Sequence, residues 1–284
     1  MSILVVGGKE GFIGNAFIER FTRTEDIKYT ALNVPLNPDC RRLDLNKPAD
    51  FDYSFISPDD FVAHLAAISL PDVCEQQYEM AYRINVTGTA YFIRKCLERR
   101  ARVLFFSSDT VYGESQNQVD ENSLANPHGR YAQMKNEIER QFLPEKQFKV
   151  FRMSYIFSKA DKMTTYLQKC SQTKQTAEIY HPVSRNVIYL NDLLDAIIAL
   201  KNNWDKLKNP VFNICGDNLV SKLDITEIYK RVVDNSLQMK IAEPGKEFYR
   251  ARPKIINLKS LYLEKLLGRR PISLAEAMKQ EFNK

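Results

Sequence analysis

The sequence predicts an α/β protein, a doubly wound parallel sheet followed by a small C-terminal α/β lobe. Short β-rich runs alternate with segments of helical period as far as residue 157, a glycine-rich turn separates the first run from the first such segment, and a polar, lysine-rich stretch then interrupts the alternation.

The runs are ILVV at 3–6, KYTAL at 28–32, FVAHLAA at 61–67, RVLFFSS at 102–108 and FKVFRMS at 148–154. Between them, residues 12–21, 74–98 and 131–142 space their apolar side chains three or four apart, as amphipathic helices do. After Phe157 come Lys159, Lys162, Lys169 and Lys174, then a strand-like RNVIYL, a helical LNDLLDAIIAL and a further strand over 210–214. The expected division is a dinucleotide-type domain of 1–157 and 186–216, with 158–185 and 217–284 forming the lobe.

A chain of 284 residues, 44% hydrophobic and 27% charged, is that of an ordered globular protein. At this length about three-quarters of the unfolded surface is buried on folding, so neither disulfides nor a structural metal is needed. The five cysteines Cys40, Cys74, Cys96, Cys170 and Cys215 are odd in number, widely spaced and without a CxxC pair. They are expected to be free thiols in a reducing, cytoplasmic setting. Four apolar residues before Gly7 are too few for an export signal, and no run approaches the roughly 18 residues of a membrane span. A net charge of +6, thinly spread, suits an anionic nucleotide better than nucleic acid.

Directly after the first run stands Gly8-Lys9-Glu10-Gly11-Phe12-Ile13-Gly14, leading into a helix whose apolar face is expected to begin at Phe12 and Ile13. Glycines let a backbone approach a pyrophosphate closely, and the helix N-terminus offers unpaired N–H groups. The second strand is expected to end near Asn33, where NAD-selective sites usually carry an acid for the ribose hydroxyls. Without that acid, and with Arg41 and Arg42 nearby, the expected cofactor is NADP or NAD, leaning to NADP. The two arginines can equally be solvated surface residues.

Tyr131-Ala132-Gln133-Met134-Lys135 sets a phenol and an ammonium four apart on one helix face. A neighbouring cation stabilises phenolate, and so is expected to lower a tyrosine pKa of about 10. Such pairs are commonplace on helix surfaces. Here Ser107-Ser108-Asp109-Thr110-Val111-Tyr112-Gly113 closes the preceding strand, where hydroxyls can orient a substrate carbonyl.

Together these motifs resemble the extended short-chain dehydrogenase/reductases that act on nucleotide sugars, the NAD-dependent epimerase/dehydratase family with its Rossmann fold. Asp44-Leu45, HLAA at 64–67 and NVTGT at 85–89 extend the resemblance. FRMSYIF at 151–157, ARP at 251–253 and DVCEQQYEMAYRINV at 72–86 look most like the dTDP-4-dehydrorhamnose reductase branch. The resemblance implies Tyr131 as general acid/base, Lys135 as the ribose-binding partner that tunes it, and Ser108 as the carbonyl-orienting hydroxyl. It implies cofactor contacts from Gly8, Gly11, Phe12, Ile13, Gly14, Asp44, Leu45, Leu65, Ala66, Ala67, Tyr131 and Lys135. Substrate contacts are implied for Ser108, Asp109, Tyr155, Arg185 and Arg252, the arginines gripping a diphosphate unless they are surface ion-pair partners.

Departures from the family narrow the chemistry. Asp109 is followed by Thr110, where dehydratases usually carry an Asp-Glu pair, so elimination of water is not expected. The cysteine and histidine of the epimerase-reductases are missing, and Tyr155 stands where many 4-epimerases have asparagine. His64, His128 and His181 read as a buried strand residue, a loop residue and a turn residue, with no metal-ligand spacing, and Trp204 reads as packing at a helix end. The expected function is reduction of a 4-keto nucleotide deoxysugar by NAD(P)H. The alternatives are an NAD-dependent 4-epimerase and a non-catalytic dinucleotide-binding regulatory subunit, as one methionine adenosyltransferase regulatory subunit of this branch is. A homodimer would use the helices over 74–98 and 131–142.

Overall fold

The computed structural model describes residues 1–33 and 37–283. Seven strands form the central sheet: β1 (Ile3–Val6), β2 (Ile27–Ala31), β3 (Cys40–Arg42), β4 (Phe61–His64), β5 (Arg102–Ser108), β6 (Phe148–Met153) and β7 (Val211–Ile214). Their order across the sheet is β7-β6-β5-β4-β1-β2-β3. β1 pairs parallel with β2 and β4, β2 with β3, and β4 with β5. The chain winds outward one way from β1 and the other way from β4, so the direction of winding reverses between those two strands. In open α/β sheets, ligands bind beyond the carboxyl ends of strands at such a reversal.

β1 and β4 are buried along their whole length, which explains why they read as unbroken apolar runs. All five expected runs fall on sheet strands. β3 escapes notice because Cys40-Arg41-Arg42 buries only its cysteine.

Helix α1 (Phe12–Phe21) matches its expected span. Its buried face is Gly14, Phe17 and Ile18, whereas Phe12 is 41% exposed. At about 3.6 residues per turn, position 12 lies away from that stripe, so the expected start of the apolar face is corrected to Gly14.

The expected helix over 74–98 is divided into Pro71–Gln76, Tyr78–Tyr82, a π-helical turn Arg83–Gly88 and α2 (Thr89–Glu98). Gln77, at φ −124° and ψ 51°, breaks the first part. Asn85 then pins the chain, accepting from the Ile68 N–H at 2.8 Å and donating to the Ile68 carbonyl at 2.9 Å. A β-carbon on Gly88 would lie 1.9 Å from the Leu45 carbonyl oxygen. The NVTGT stretch therefore locks the loops after β3 and β4 to one helix. Helix α3 (Arg130–Phe142) carries the tyrosine and lysine as expected.

Packing divides the chain into two compact units. The first comprises Met1–Val111, Gly129–Phe151 and Lys208–Val211; the second comprises Tyr112–His128, Arg152–Leu207 and the residues from Phe212 onward. Within the second unit, Ser115–Val119 pairs with Ile256–Leu258, and Ser184–Asn186 with Leu219–Ser221. The lysine-rich stretch there forms helix α4 (Lys162–Thr173), capped by Asp161, and is followed by α5 (Leu190–Asn202) and α6 (Lys222–Val232). Trp204 is buried just past the end of α5. All five cysteines are buried thiols outside any disulfide. Among the described residues, no helix is long and apolar enough to cross a membrane.

Candidate active site

In the first unit, the glycine turn leaves β1 in a conformation that crowds its own backbone. Gly7 has φ 79°, and a β-carbon there would lie 3.0 Å from that of Ala66. One on Gly11 would lie 2.8 Å from the Gly7 carbonyl oxygen, and one on Gly14 would lie 2.6 Å from that of Gly8. The turn is anchored to β2: Gly7 N–H donates to Thr30 Oγ1 at 3.1 Å and Gly8 N–H to the Thr30 carbonyl at 3.0 Å. Gly11 caps α1 without a side-chain acceptor, leaving the first-turn N–H groups for an anion.

Beside the turn is a cavity of about 200 Å³ lined by Gly7, Glu10, Thr30, Ala31, Leu32, Leu43, Asp44, Leu45, Ala66, Ala67, Ile68 and Ile84. Asp44, Leu45, Ala66 and Ala67 of the expected cofactor set thus share one cavity with Gly7. Leu65 lies at the end of β4, donating its N–H to the Val6 carbonyl at 3.1 Å.

The expected chemical groups are on β5 and α3 of the same unit. Ser107 is buried, and its hydroxyl has no partner among the described residues, while Ser108 is half-buried. Ser108 Oγ donates to Asp109 at 3.2 Å and accepts from Thr110 Oγ1 at 2.9 Å. Lys135, 4% exposed, donates from Nζ to the Phe106 carbonyl at 2.7 Å and stands 4.5 Å over the Phe105 ring. Burial lowers its pKa to about 8, against the raising influence of Glu139 and Cys74.

The Tyr131 phenol is pushed well above its ordinary value, first by burial and then by Cys74 and Asp109. The expected lowering by Lys135 is therefore overturned: the ammonium donates to the Phe106 carbonyl, and desolvation of the phenol dominates. The Tyr131 phenol is accordingly protonated at neutral pH.

The second unit holds a separate cavity of about 340 Å³, lined by Tyr155, Met163, Val183, Arg185, Val187, Val220, Lys222, Ile225, Phe248 and Arg252. It gathers three cations on apolar walls. Arg185 donates to the carbonyls of Ser184, Pro253 and Lys254 at 2.7–3.1 Å. Arg252 lies 4.7 Å over the Phe248 ring, and Lys222 lies 5.6 Å from the same ring. Burial and the neighbouring Arg252 and Arg185 lower the Lys222 pKa. Tyr155 donates to Asp161 at 2.5 Å, and burial together with that carboxylate raises its pKa.

A family model described as the RmlD substrate binding domain matches residues 1–283. The chain belongs to that family. Among curated relatives of this RmlD-family chain, methionine adenosyltransferase 2 subunit beta of Xenopus tropicalis is 25% identical over 175 residues, 58% of the chain and 52% of the relative. The spore coat polysaccharide biosynthesis protein SpsK of Bacillus subtilis is 25% identical over 146 residues, 50% of the chain and 51% of the relative. The match thus spans about half the length of these relatives.

Solved structures share the RmlD-family chain's fold over nearly its whole length. A UDP-glucuronic acid 4-epimerase variant from Bacillus cereus, in complex with a fluorinated UDP-glucuronic acid and NAD, has a TM-score of 0.84 at 19% identity, covering 100% of this chain and 98% of that one. RMD from Pseudomonas aeruginosa complexed with NADPH has a TM-score of 0.78 at 19% identity, with the same coverage. A hypothetical dTDP-4-dehydrorhamnose reductase from Sulfolobus tokodaii has 0.81 at 20% identity, covering 96% and 98%.

Lys222, Phe248 and Glu10 also line these cavities of the RmlD-family chain, and no local pattern in the sequence singles them out. Lys222 follows Ser221, which opens a capping box with Asp224, so only its helix start was legible. Its place beside Arg185 depends on the antiparallel pairing of Arg185 with Val220. Glu10 accepts from the N–H groups of Leu32 and Asn33, 22 and 23 residues away.

Proposed function

We propose that this protein reduces a 4-keto nucleotide deoxysugar with NAD(P)H. The observation that carries the reading is the grouping of the glycine turn, Ser108, Tyr131 and Lys135 within one compact unit. A dinucleotide fits the turn: its glycines leave no room for side chains, and its helix N-terminus offers free N–H groups. Gly8, Gly11, Phe12, Ile13 and Gly14 would hold the pyrophosphate, Asp44, Leu45, Leu65, Ala66 and Ala67 the adenosine side, and Lys135 a ribose. Bound there, the cofactor supplies hydride exchange with a sugar carbon.

The chain's own part is proton transfer and positioning. Tyr131, held protonated by burial, donates its phenolic proton to the oxygen of the reduced carbon. Ser108 orients that oxygen by turning its one hydroxyl proton from Asp109 to the substrate, while Thr110 continues to donate to the serine oxygen. Lys135 fixes α3 against β5 through the Phe106 carbonyl. In the second unit, Arg185, Lys222 and Arg252 hold a nucleotide diphosphate and Phe248 offers a ring face, with Tyr155 at the same cavity. Three cations crowding one another there are relieved by a polyanion, which supports this assignment.

Two other readings have support. A 4-epimerase would use the same residues and retain NAD through purification, which mass spectrometry of the purified protein detects. The likeness to methionine adenosyltransferase 2 subunit beta favours a regulatory subunit that binds dinucleotide without turnover. The deciding assay supplies NADH or NADPH with a panel of 4-keto and 4-hydroxy nucleotide sugars. Cofactor oxidation supports the reductase, epimerised product supports the epimerase, and neither outcome with any substrate leaves the regulatory reading.

A further inference from the structure

Glu10 lies in the glycine turn, yet its carboxylate stands at the carboxyl end of β2. Oε2 accepts from the Leu32 N–H at 2.7 Å and Oε1 from the Asn33 N–H at 2.9 Å, the first two residues after the strand. The side chain lines the 200 Å³ cavity together with Ala31, Leu32, Asp44 and Leu45. The acid that β2 itself lacks is thus delivered from another part of the chain.

We infer that Glu10 sets the dinucleotide preference of this cavity, admitting the free 2′-hydroxyl of NAD(H) and excluding the 2′-phosphate of NADP(H). The inference rests on the reading of the glycine turn as a dinucleotide site, and it reverses the lean toward NADP drawn from the sequence. A carboxylate offers about four lone-pair directions, of which the two amides take two; the others accept from vicinal ribose hydroxyls. A phosphate at the same place finds those two amides already engaged and meets a like charge. Asp44, lining the same cavity, adds a second acidic side chain.

Nor is Arg41 free to compensate. Its Nη1 donates to the carbonyls of Asn37, Pro38 and Cys40 at 3.0–3.3 Å, and the guanidinium lies 4.5 Å over the Phe55 ring. Arg42, exposed at the end of β3, is the remaining arginine of the pair.

The test is direct titration of the full chain with NADH and with NADPH, followed by fluorescence or calorimetry. Wild-type protein should bind NADH about tenfold or more tightly, the scale of a like-charge clash. Glu10→Gln, which keeps the side chain's shape, should narrow that ratio at least about threefold, and Arg42→Ala should leave it unchanged. Competition by 5′-AMP should exceed that by adenosine 2′,5′-bisphosphate. The wild-type ratio needs no variant, so misfolding of a Glu10 substitution does not blunt the experiment. Equal or tighter NADPH binding, an unchanged ratio in Glu10→Gln, or loss of NADPH binding through Arg42→Ala overturns the inference while leaving the dinucleotide site standing. A folded wild-type chain that binds neither nucleotide overturns both.

Discussion

Lys135 donates to the carbonyl of Phe106, two residues before Ser108 on the same strand, at 2.7 Å. One buried bond therefore ties the helix bearing Tyr131 to the strand bearing the serine. The same desolvation that makes the bond strong brings the ammonium close to neutrality, at a pKa of about 8.

The first prediction follows from that value. Below about pH 8 Lys135 is charged, and above it the charge is lost, so kcat/KM should fall on the alkaline side with a limb near 8. Lys135→Arg keeps its charge throughout, and its profile should lack the limb even if its overall rate is lower. A wild-type profile flat to pH 10 would separate Lys135 from the chemistry.

His64 makes the second. It is fully buried, both ring nitrogens lack partners among the described residues, and burial with the nearby Lys135 lowers its pKa to about 3. The folded value lies below the unfolded one of about 6.5, so the stability from keeping imidazole neutral is complete above pH 6.5. It is lost as pH falls toward 3, at about 1.4 kcal/mol per pH unit. Denaturant titrations from pH 7 to 4 should show that slope in wild type and a slope shallower by one proton in His64→Leu.

Gly88 tests the locking of loops around the cofactor cavity. Its absent β-carbon would lie 1.9 Å from the Leu45 carbonyl oxygen, a backbone atom with little freedom to move. Gly88→Ala should cost about 1–3 kcal/mol in chemical denaturation, as overpacking does. Gly11→Val, at 2.8 Å from the Gly7 carbonyl, should leave a folded chain without dinucleotide affinity.

What the sequence revealed was what repeats locally. β1, β4, β5 and helices α1 and α3 declare themselves through periodicity within ten or so residues, and the motifs ride on those elements. β3 did not, because two of its three residues are arginines on the sheet's edge. The partition of 74–98 depended on Asn85 and Gly88 meeting Ile68 and Leu45, contacts that no local pattern encodes. The sign of the Tyr131 shift was also hidden: spacing reveals a neighbouring lysine but not that packing around the half-buried ring outweighs it.

For the second unit, Lys222→Ala and Arg252→Ala should each raise KM for a nucleotide sugar with little change in kcat. Loss of one charge-assisted bond costs about 1.5–3 kcal/mol, or about one to two powers of ten in kcat/KM. Arg185→Ala should show the same rise and in addition lower the Tm, since its guanidinium also holds the carbonyls of Pro253 and Lys254. Native KM in all three would remove the cavity from substrate binding.

Tyr131→Phe decides whether Tyr131 is the proton donor of a nucleotide-sugar oxidoreductase. Phenylalanine keeps the ring on α3 and removes only the hydroxyl. Dinucleotide affinity and the unfolding transition should stay near wild type, while kcat for a turned-over 4-keto or 4-hydroxy nucleotide sugar falls about a hundredfold or more. A Tyr131→Phe protein that turns over that substrate at the wild-type rate would remove Tyr131 from proton transfer.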